Sequence, residues 1–496
     1  MKKYLVILSA LLLASSSLFV SCGEAETAET EVKTDTAVPE TEAVTEDTAL
    51  KSSLPEDLDL GGASVTIHAR GDDDTWMEIQ TDEANGEVLN DSIFNRNLTV
   101  EEQLNVDIIG YRGQSWSTYW DSTSDINMFK TSIAAGDNAF QCIAGWNTFI
   151  VPLALENYFH DLYDAPYLDL EKPWWNQSAS QTLVMGGKRH FVTGDISILS
   201  MLGGAYVMFA NDRVAEDNGI GSLADMVREG TWTIDNMKAI TQTLYNDLDG
   251  NGTMDQYDRY GFITDTYNSA DSWYTAADIH QITLDDKGMP VFVSQQEKVS
   301  GLIDKTFDFW HNGSISGAYC TDADTQCDMF KNNQALLIQR ELDNARTYFR
   351  DMEESYTLLP FPKYDEQQQN YISAAYNGAT LWCVPVDNPD VDIACAVMEA
   401  LAYETFTNVT PVYFETCLQT KVARNEDTIE MLGIIRDGCC LDVEYLYKSV
   451  LGYPNEVMRT LVVVNKSNNV ASWYASNEKK IQDTIEKTIQ TLEEMQ

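Results

Sequence analysis

Basic side chains are scarce in this chain: 32 lysines and arginines stand against 78 aspartates and glutamates, a formal charge of -46 at pH 7. So acidic a surface repels phosphodiester backbones and other polyanions, which argues against nucleic acid and favours a neutral or cationic ligand. Histidine is rarer still, with five scattered copies, and the nine cysteines hold no pair of Cys-x-x-Cys units, so zinc spacing is missing. His-Glu-x-x-His, Gly-x-Ser-x-Gly and a phosphate loop are all absent, which removes the hydrolase and nucleotide-dependent classes that short motifs reveal. A pair of glycosidase carboxylates is defined by separation in space and stays open at this level. After the first residues there is no second long apolar run.

What is present begins with MKKYLVILSALLLASSSLFVSCGE, in which Lys2 and Lys3 precede an apolar run and small residues lead to Cys22. This reads as an export signal over residues 1–21, with Cys22 as the lipidated first residue of the mature chain. An ordinary signal peptide is the alternative, because Phe19 is bulky for the position three before the cysteine. Residues 23–55 hold nine acidic residues, two lysines and no aromatic side chain, too little apolar surface to offset ordering entropy. Residues 22–55 are therefore expected to be a disordered tether, standing a folded domain off a membrane. The chain is placed at the cell surface, lipid-anchored to the outer face of the cytoplasmic membrane.

The following residues, about 440 by length, suggest two or three domain-sized units. GASVTIHARGDDDTW predicts a strand at Ser64–Ala69 and then a polar loop with Arg70 and Trp76. A helix fits 90–104, capped by Asn90 or Asp91, with Ile93, Val100 and Leu104 on one face. NVDIIGYR and AFQCIAGW read as strands around the helix MFKTSIAAG; HFVTGDISIL, AYVMFAN, RYGFITDT, QALLIQR and SYTLLPFP read as further strands. Thr233 is the expected cap of TWTIDNMKAITQTLY, and Ile481, Ile485, Ile489 and Leu492 form the apolar stripe of the last helix. Strands alternating with helices predict an α/β fold with a mainly parallel sheet. Of the eight cysteines after Cys22, most read as buried thiols, and Cys320 with Cys327 could close a small loop.

At DLDGNGTMDQYD the spacing of oxygen ligands is that of a calcium loop. Asp247, Asp249 and Asn251 alternate, Gly252 makes the turn, Thr253 offers its carbonyl, and Asp255 and Asp258 take the ninth and twelfth positions. Asp258 replaces the longer glutamate that would hold the ion with both oxygens, so binding is expected to be weak, roughly 10⁻⁴ to 10⁻³ M. A helix enters and a strand leaves, in a single copy, which favours a structural ion over a calcium sensor.

The order of several segments resembles family 1 of the extracellular solute-binding proteins, the substrate-binding lipoproteins of bacterial ABC importers, in forms found in gut Firmicutes. The segments are LPEDLDLGGASVTIHARGD, NDSIFNRNLTVEEQLNV, EKPWWNQSA with GGKRHFVTGD, REGTWTID, DLDGNGTMDQYDRYGF, LLPFPKYDEQQQNY and VMEALAYE. The resemblance implies a two-lobed, type II periplasmic-binding-protein-like α/β fold with a hinge and a helical C-terminal part. By analogy lobe 1 spans 56–193 plus about 355–395, and lobe 2 about 194–354 plus 396–496. It also implies a monomer without catalytic activity that takes a mono- or oligosaccharide between its lobes and delivers it to a membrane permease. Calcium loops of this type are frequent in such relatives.

Sugar recognition stacks apolar sugar faces on aromatic rings and binds hydroxyls with planar polar groups, and the chain has 11 tryptophans and 24 tyrosines. In open α/β sheets ligands sit beyond the carboxyl ends of strands. That rule nominates Arg70, Asp72 and Trp76 after the first strand, Trp146 after the third, Asp195 at the crossover and Arg340 at the end of QALLIQR, with Trp273, Tyr376 and Asn377 second. Any one tryptophan is more often core than ligand platform. Trp232 and Trp310 are assigned to packing, and the Trp174–Trp175 pair to structure; Asp195 and Arg340 serve equally well as ion pairs or hinge contacts. The rival classes are a secreted carbohydrate-active enzyme and a calcium-dependent adhesion or docking module.

Overall fold

A four-stranded and a five-stranded sheet organise the chain. In chain order the strands are β1 (Ala63–Ala69), β2 (Val106–Arg112), β3 (Cys142–Trp146), β4 (Tyr206–Asn211), β5 (Tyr260–Thr264), β6 (Ala318–Cys320), β7 (Ala335–Glu341), β8 (Tyr356–Leu359) and β9 (Thr380–Cys383). The first sheet has the order β9-β3-β1-β2 and the second β6-β5-β7-β4-β8. The computed structural model describes residues 51–115, 123–265, 268–311, 318–320, 322–375, 378–418 and 426–495. Ser52–Gln496 form one compact unit, which takes in the last residues of the expected tether, since Ser53 Oγ bonds Glu399 at 2.8 Å; Cys22 and residues 23–50 lie outside the described residues.

The expected parallel sheet is mixed, and the exceptions have a cause. β1 runs parallel to β2 and β3, and β5 parallel to β6 and β7, whereas β9 opposes β3 and β4 opposes both β7 and β8. Each sheet therefore has one reversed strand, and each reversed strand is the first one laid down after the chain crosses from the other sheet. Its amino end then lies beside its neighbours' carboxyl ends, as the register Trp146↔Thr380 and Glu341↔Tyr206 records.

Two expectations about the crossings are corrected. HFVTGDISIL does not form a strand: Val192 makes a single bridge to Trp382, and Asp195–Ser197 and Ile198–Met201 are helical turns. At Gly194 the chain passes so close to Trp174 that a Cβ would lie 2.3 Å from its carbonyl oxygen, and the Asp195 N–H donates to that carbonyl. The return to the first sheet is also later than 355, because β8 pairs with β4 in the second sheet and Thr380 starts β9. Residues Ala394–Ala402 then share a core with Val65, Ile67 and Trp382, carrying the first lobe past 395.

Six helices matter for the site and its support: α1 (Asp73–Ile79), α2 (Val88–Leu104), α3 (Ile234–Thr241), α4 (Asn268–Ala276), α5 (Val391–Glu404) and α6 (Val470–Glu494). Glu87, not Asn90 or Asp91, caps α2, its carboxylate accepting the Asn90 N–H, while Asp91 is spent on the N–H groups of Asn85 and Gly86. Thr233 caps α3 as its position predicts. In α6, Ile481, Ile485 and Leu492 are buried and Ile489 packs at the edge of the core, the expected stripe. Cys142, Cys327, Cys383, Cys395 and Cys439 are buried free thiols and Cys440 is half-buried; the Cys320 side chain of the suggested Cys320–Cys327 loop lies outside the described residues. Among the described residues no helix is long and apolar enough to cross a membrane.

Candidate ligand-binding site at two facing sheet edges

The crossover after Asp195 shows which ends of the sheets face each other. Ser200 bonds Glu78 and Thr380 at the carboxyl end of the first sheet, and Gly203 and Ala205 accept the N–H groups of Asp343 and Leu342 at the carboxyl end of the second. A few residues of chain thus join two rims. On one side they are held together by Arg346, which pairs with Asp343 of the second lobe at 2.8 Å and Asp74 of α1 at 2.8 Å.

On the first rim Arg70, Asp72 and Trp146 come together as nominated. The Arg70 guanidinium lies 5.0 Å from the centre of the Trp146 ring, donates to the Gly378 carbonyl at 2.5 Å and pairs with Asp72 at 3.3 Å. Asp72 begins α1, yet its side chain makes no capping bond; its second oxygen instead accepts from Ser115 Oγ at 2.7 Å. A cap site that gives up its helix bond for an arginine and a serine marks a carboxylate committed to the rim. Trp146 stands edge-on to Phe149 at 4.9 Å, which fixes the indole. Aromatic face, guanidinium fork and carboxylate suit a ligand with an apolar face and ringed hydroxyls.

Trp76 is not brought to this group. Helical periodicity turns it back over β2, where Gly110 leaves room for the ring and Arg112 lies 5.6 Å above it. Trp273 is fully buried, donating to Gln339 and packing edge-on to Phe361, a core role. Asp195 pairs with Arg436 at 2.9 Å and accepts from Thr410 Oγ1 at 2.8 Å, a buried tie between the crossover and the C-terminal helices. Arg340 does reach the second rim, 3.4 Å from Asp265 at the end of β5 and 3.0 Å from Glu341. Tyr376, Asn377 and the side chain of Trp310 lie outside the described residues. Trp232 and Trp174–Trp175 are buried, the packing roles expected of them.

Sequence reading missed Glu78, Ser115 and Gly378, none of which belongs to a motif. Glu78 is buried where the crossover leaves the first rim, accepting from Ser200 Oγ at 2.9 Å and Thr380 Oγ1 at 3.2 Å. Burial pushes its carboxyl up to about 7, against bonds from Ser200 and Thr380 and the charge of Arg70. Burial likewise raises Asp271 to about 7, opposed by Arg459. Both folded values lie above the unfolded ones, so their stabilising contribution is complete below about pH 4 and is lost as pH rises through 7. Stability is expected to be lower at pH 8 than at pH 5, by on the order of 2–3 kcal/mol per group at most, and the melting temperature to fall accordingly. Glu78→Gln should flatten the profile, and a wild-type melting temperature that climbs steadily from pH 5 to 8 would contradict this assignment.

The acidic loop follows α3 and precedes β5, a helix entering and a strand leaving. Carboxylate oxygens of Asp247, Asp249 and Asp258 lie within 4.8 Å of one another. Asp247 accepts the N–H groups of Gly250 and Gly252, at 2.7 and 2.9 Å, and Asn251 spans Asp249 and Asp255 at 2.7 and 3.1 Å. Asp258 is fully buried and bonded by Tyr245 Oη at 3.0 Å. Three converging carboxylates around backbone folded by two left-handed glycines fit a hard, oxygen-seeking cation. Asp255 is not part of the converging trio; its carboxylate is turned to Asn251 and the Tyr257 N–H.

Two α/β lobes joined by crossing segments, with strand ends facing across the crossings, define the architecture of two-lobed periplasmic-type binding proteins. Solved structures of that architecture match the chain. The ABC substrate-binding protein Lmo0181 from Listeria monocytogenes, in complex with cycloalternan, aligns at TM-score 0.50 and 13% identity over 87% of this chain and 99% of that one. A cyclo/maltodextrin-binding protein complexed with maltotetraose aligns at TM-score 0.54 and 10% identity, covering 87% and 97%. The sugar-binding protein MalE from Xanthomonas citri gives TM-score 0.54 and 12% identity, covering 87% and 98%. At these identities the likeness establishes the two-lobed fold. No protein-family model and no curated protein sequence matches the chain.

Proposed function

We propose that the chain is the extracellular substrate-binding lipoprotein of an ABC importer, which captures a mono- or oligosaccharide between its lobes and hands it to a membrane permease. The observation that carries this reading is the Arg70–Asp72–Trp146 group at one sheet edge, facing a second edge that holds Asp265 and Arg340. The acidic surface disfavours polyanions, and the chain's structural neighbours were solved with neutral oligosaccharides. Binding without turnover is expected, since Asp72 is tied to Arg70 and Ser115 as an acceptor. A thermal-shift screen over mono- and oligosaccharides, with amino acids, peptides and polyamines as controls, tests the ligand class. A sugar should raise the melting temperature and be recovered intact; stabilisation by another class alone, or conversion of the sugar, would reject the reading. In this reading the protein acts as a monomer anchored through Cys22, and cell fractionation that finds it free in the medium contradicts the anchor.

The loop at Asp247–Asp258 is assigned a structural Ca²⁺, with Asp247, Asp249 and Asp258 as the core of the ligand set and Asn251, Thr253 and Asp255 completing it. When bound, the ion would offset the mutual repulsion of the carboxylates and pin the connection between α3 and β5. Millimolar calcium is expected to add on the order of 1 kcal/mol, about 1–2 °C in melting temperature. Equal melting curves in calcium and in chelator would remove the site.

A further inference from the structure

The C-terminal segment around Tyr453 has the features of a site that no part of the sequence reading nominated. Tyr453 is held at φ +62°, a left-handed conformation that aromatic residues rarely adopt, directly after Gly452 at φ +82°. Its ring is nevertheless 41% exposed, so apolar burial does not explain the strain. Two residues on, the Asn455 side chain is 1% exposed and neither its oxygen nor its nitrogen has a partner. Against this turn packs α4, where Asp271, also 1% exposed, gives one carboxylate oxygen to Arg459 and leaves the other without a partner. Glu456 completes the group, 3.4 Å from Lys448 and 3.8 Å from Arg459. Buried polar atoms are almost always bonded, and two orphaned groups on adjoining elements imply that something from outside the chain bonds them.

The place is right for a ligand. Gln339, the residue before Arg340 on the second rim, binds the start of α4 through the Ser269 carbonyl, Ser272 Oγ and the Trp273 indole. We infer that Asp271, Lys448, Tyr453, Asn455, Glu456 and Arg459 form a second-lobe subsite for a neutral, polyhydroxylated ring, with Tyr453 as the platform and Asn455 and Asp271 bonding its hydroxyls. Two acids balance two bases, so the group offers no net charge to an ion but abundant donors and acceptors to hydroxyls. This subsite rests on the sugar-binding reading above.

The test uses Tyr453→Gly, which relaxes the left-handed backbone, and Asn455→Leu, which replaces the orphaned amide by an apolar side chain of similar volume. Each is measured by calorimetric titration with whichever of maltotriose, cellotriose, xylotriose or raffinose binds the wild type most tightly, and by melting without ligand. A melting temperature at or above wild type, together with a dissociation constant weakened roughly ten-fold or more, is the expected result. Affinity within two-fold of wild type for both variants overturns the subsite and means the orphaned atoms are met by water. Variants that lose stability and affinity together mark the segment as framework and also overturn it. A wild type that binds none of the four trisaccharides overturns the subsite, and one that no mono- or oligosaccharide stabilises removes the sugar reading as well.

Discussion

Replacing Arg70 by alanine is expected to weaken ligand binding about 100-fold while the protein still folds. The guanidinium serves three neighbours at once: it covers the Trp146 ring, ties Asp72 and holds the carbonyl of Gly378 where β9 begins. Without it the indole loses its stacked cation and Asp72 loses its arginine partner, so three groups of the rim lose a shared contact together. Arg70→Lys should rescue little, because an ammonium cannot present a planar fork to a carboxylate and an aromatic face simultaneously. The comparison to make is calorimetric titration of wild type and both variants with the stabilising sugar. Equal affinities would place the ligand elsewhere.

Glu399→Ala is expected to be the most damaging single change to the fold, about 4 kcal/mol read from urea unfolding. Glu399 on α5 is fully buried and accepts the indole N–H groups of Trp174 at 3.1 Å and Trp175 at 2.8 Å, with Ser53 Oγ at 2.8 Å. Burial raises its pKa, and bonds from Ser53, both tryptophans and the Asp169 N–H oppose the shift. Alanine would leave two buried indole donors unmet and a cavity beside them. It would also free Ser53, where the tether meets the folded unit. Glu399→Gln keeps one acceptor oxygen and should lose roughly half as much. An alanine variant within about 1 kcal/mol of wild type would show that the tryptophan pair is held by packing alone.

The alternation of strands and helices was legible because apolar runs of period two and stripes of period 3.6 write it directly, as at β1 and α6. The strand-end rule put Arg70, Asp72, Trp146 and Arg340 at the rims for the same reason: a residue at or just past a strand's carboxyl end must lie at the rim. It misplaced Trp76, which is on α1, because helical phase decides which way a side chain turns and Gly110 on β2 made room for the ring behind the sheet. It overrated Trp273, since the bond that buries this indole comes from Gln339, distant in sequence. HFVTGDISIL carries a strand's composition, but the contact of Gly194 with Trp174 is tertiary and has no local signal. The reversed strands β4 and β9 and the Tyr453 turn were invisible for a related cause: both depend on where the chain goes between elements.

Co-crystallisation of the wild-type protein with the oligosaccharide that most raises its melting temperature tests the central claim most directly. A sugar ring bonded by Arg70 or Asp72 beside Trp146, lying between the two sheet edges, is the predicted result. A ligand bound outside the facing rims, or a cleaved sugar, would contradict it.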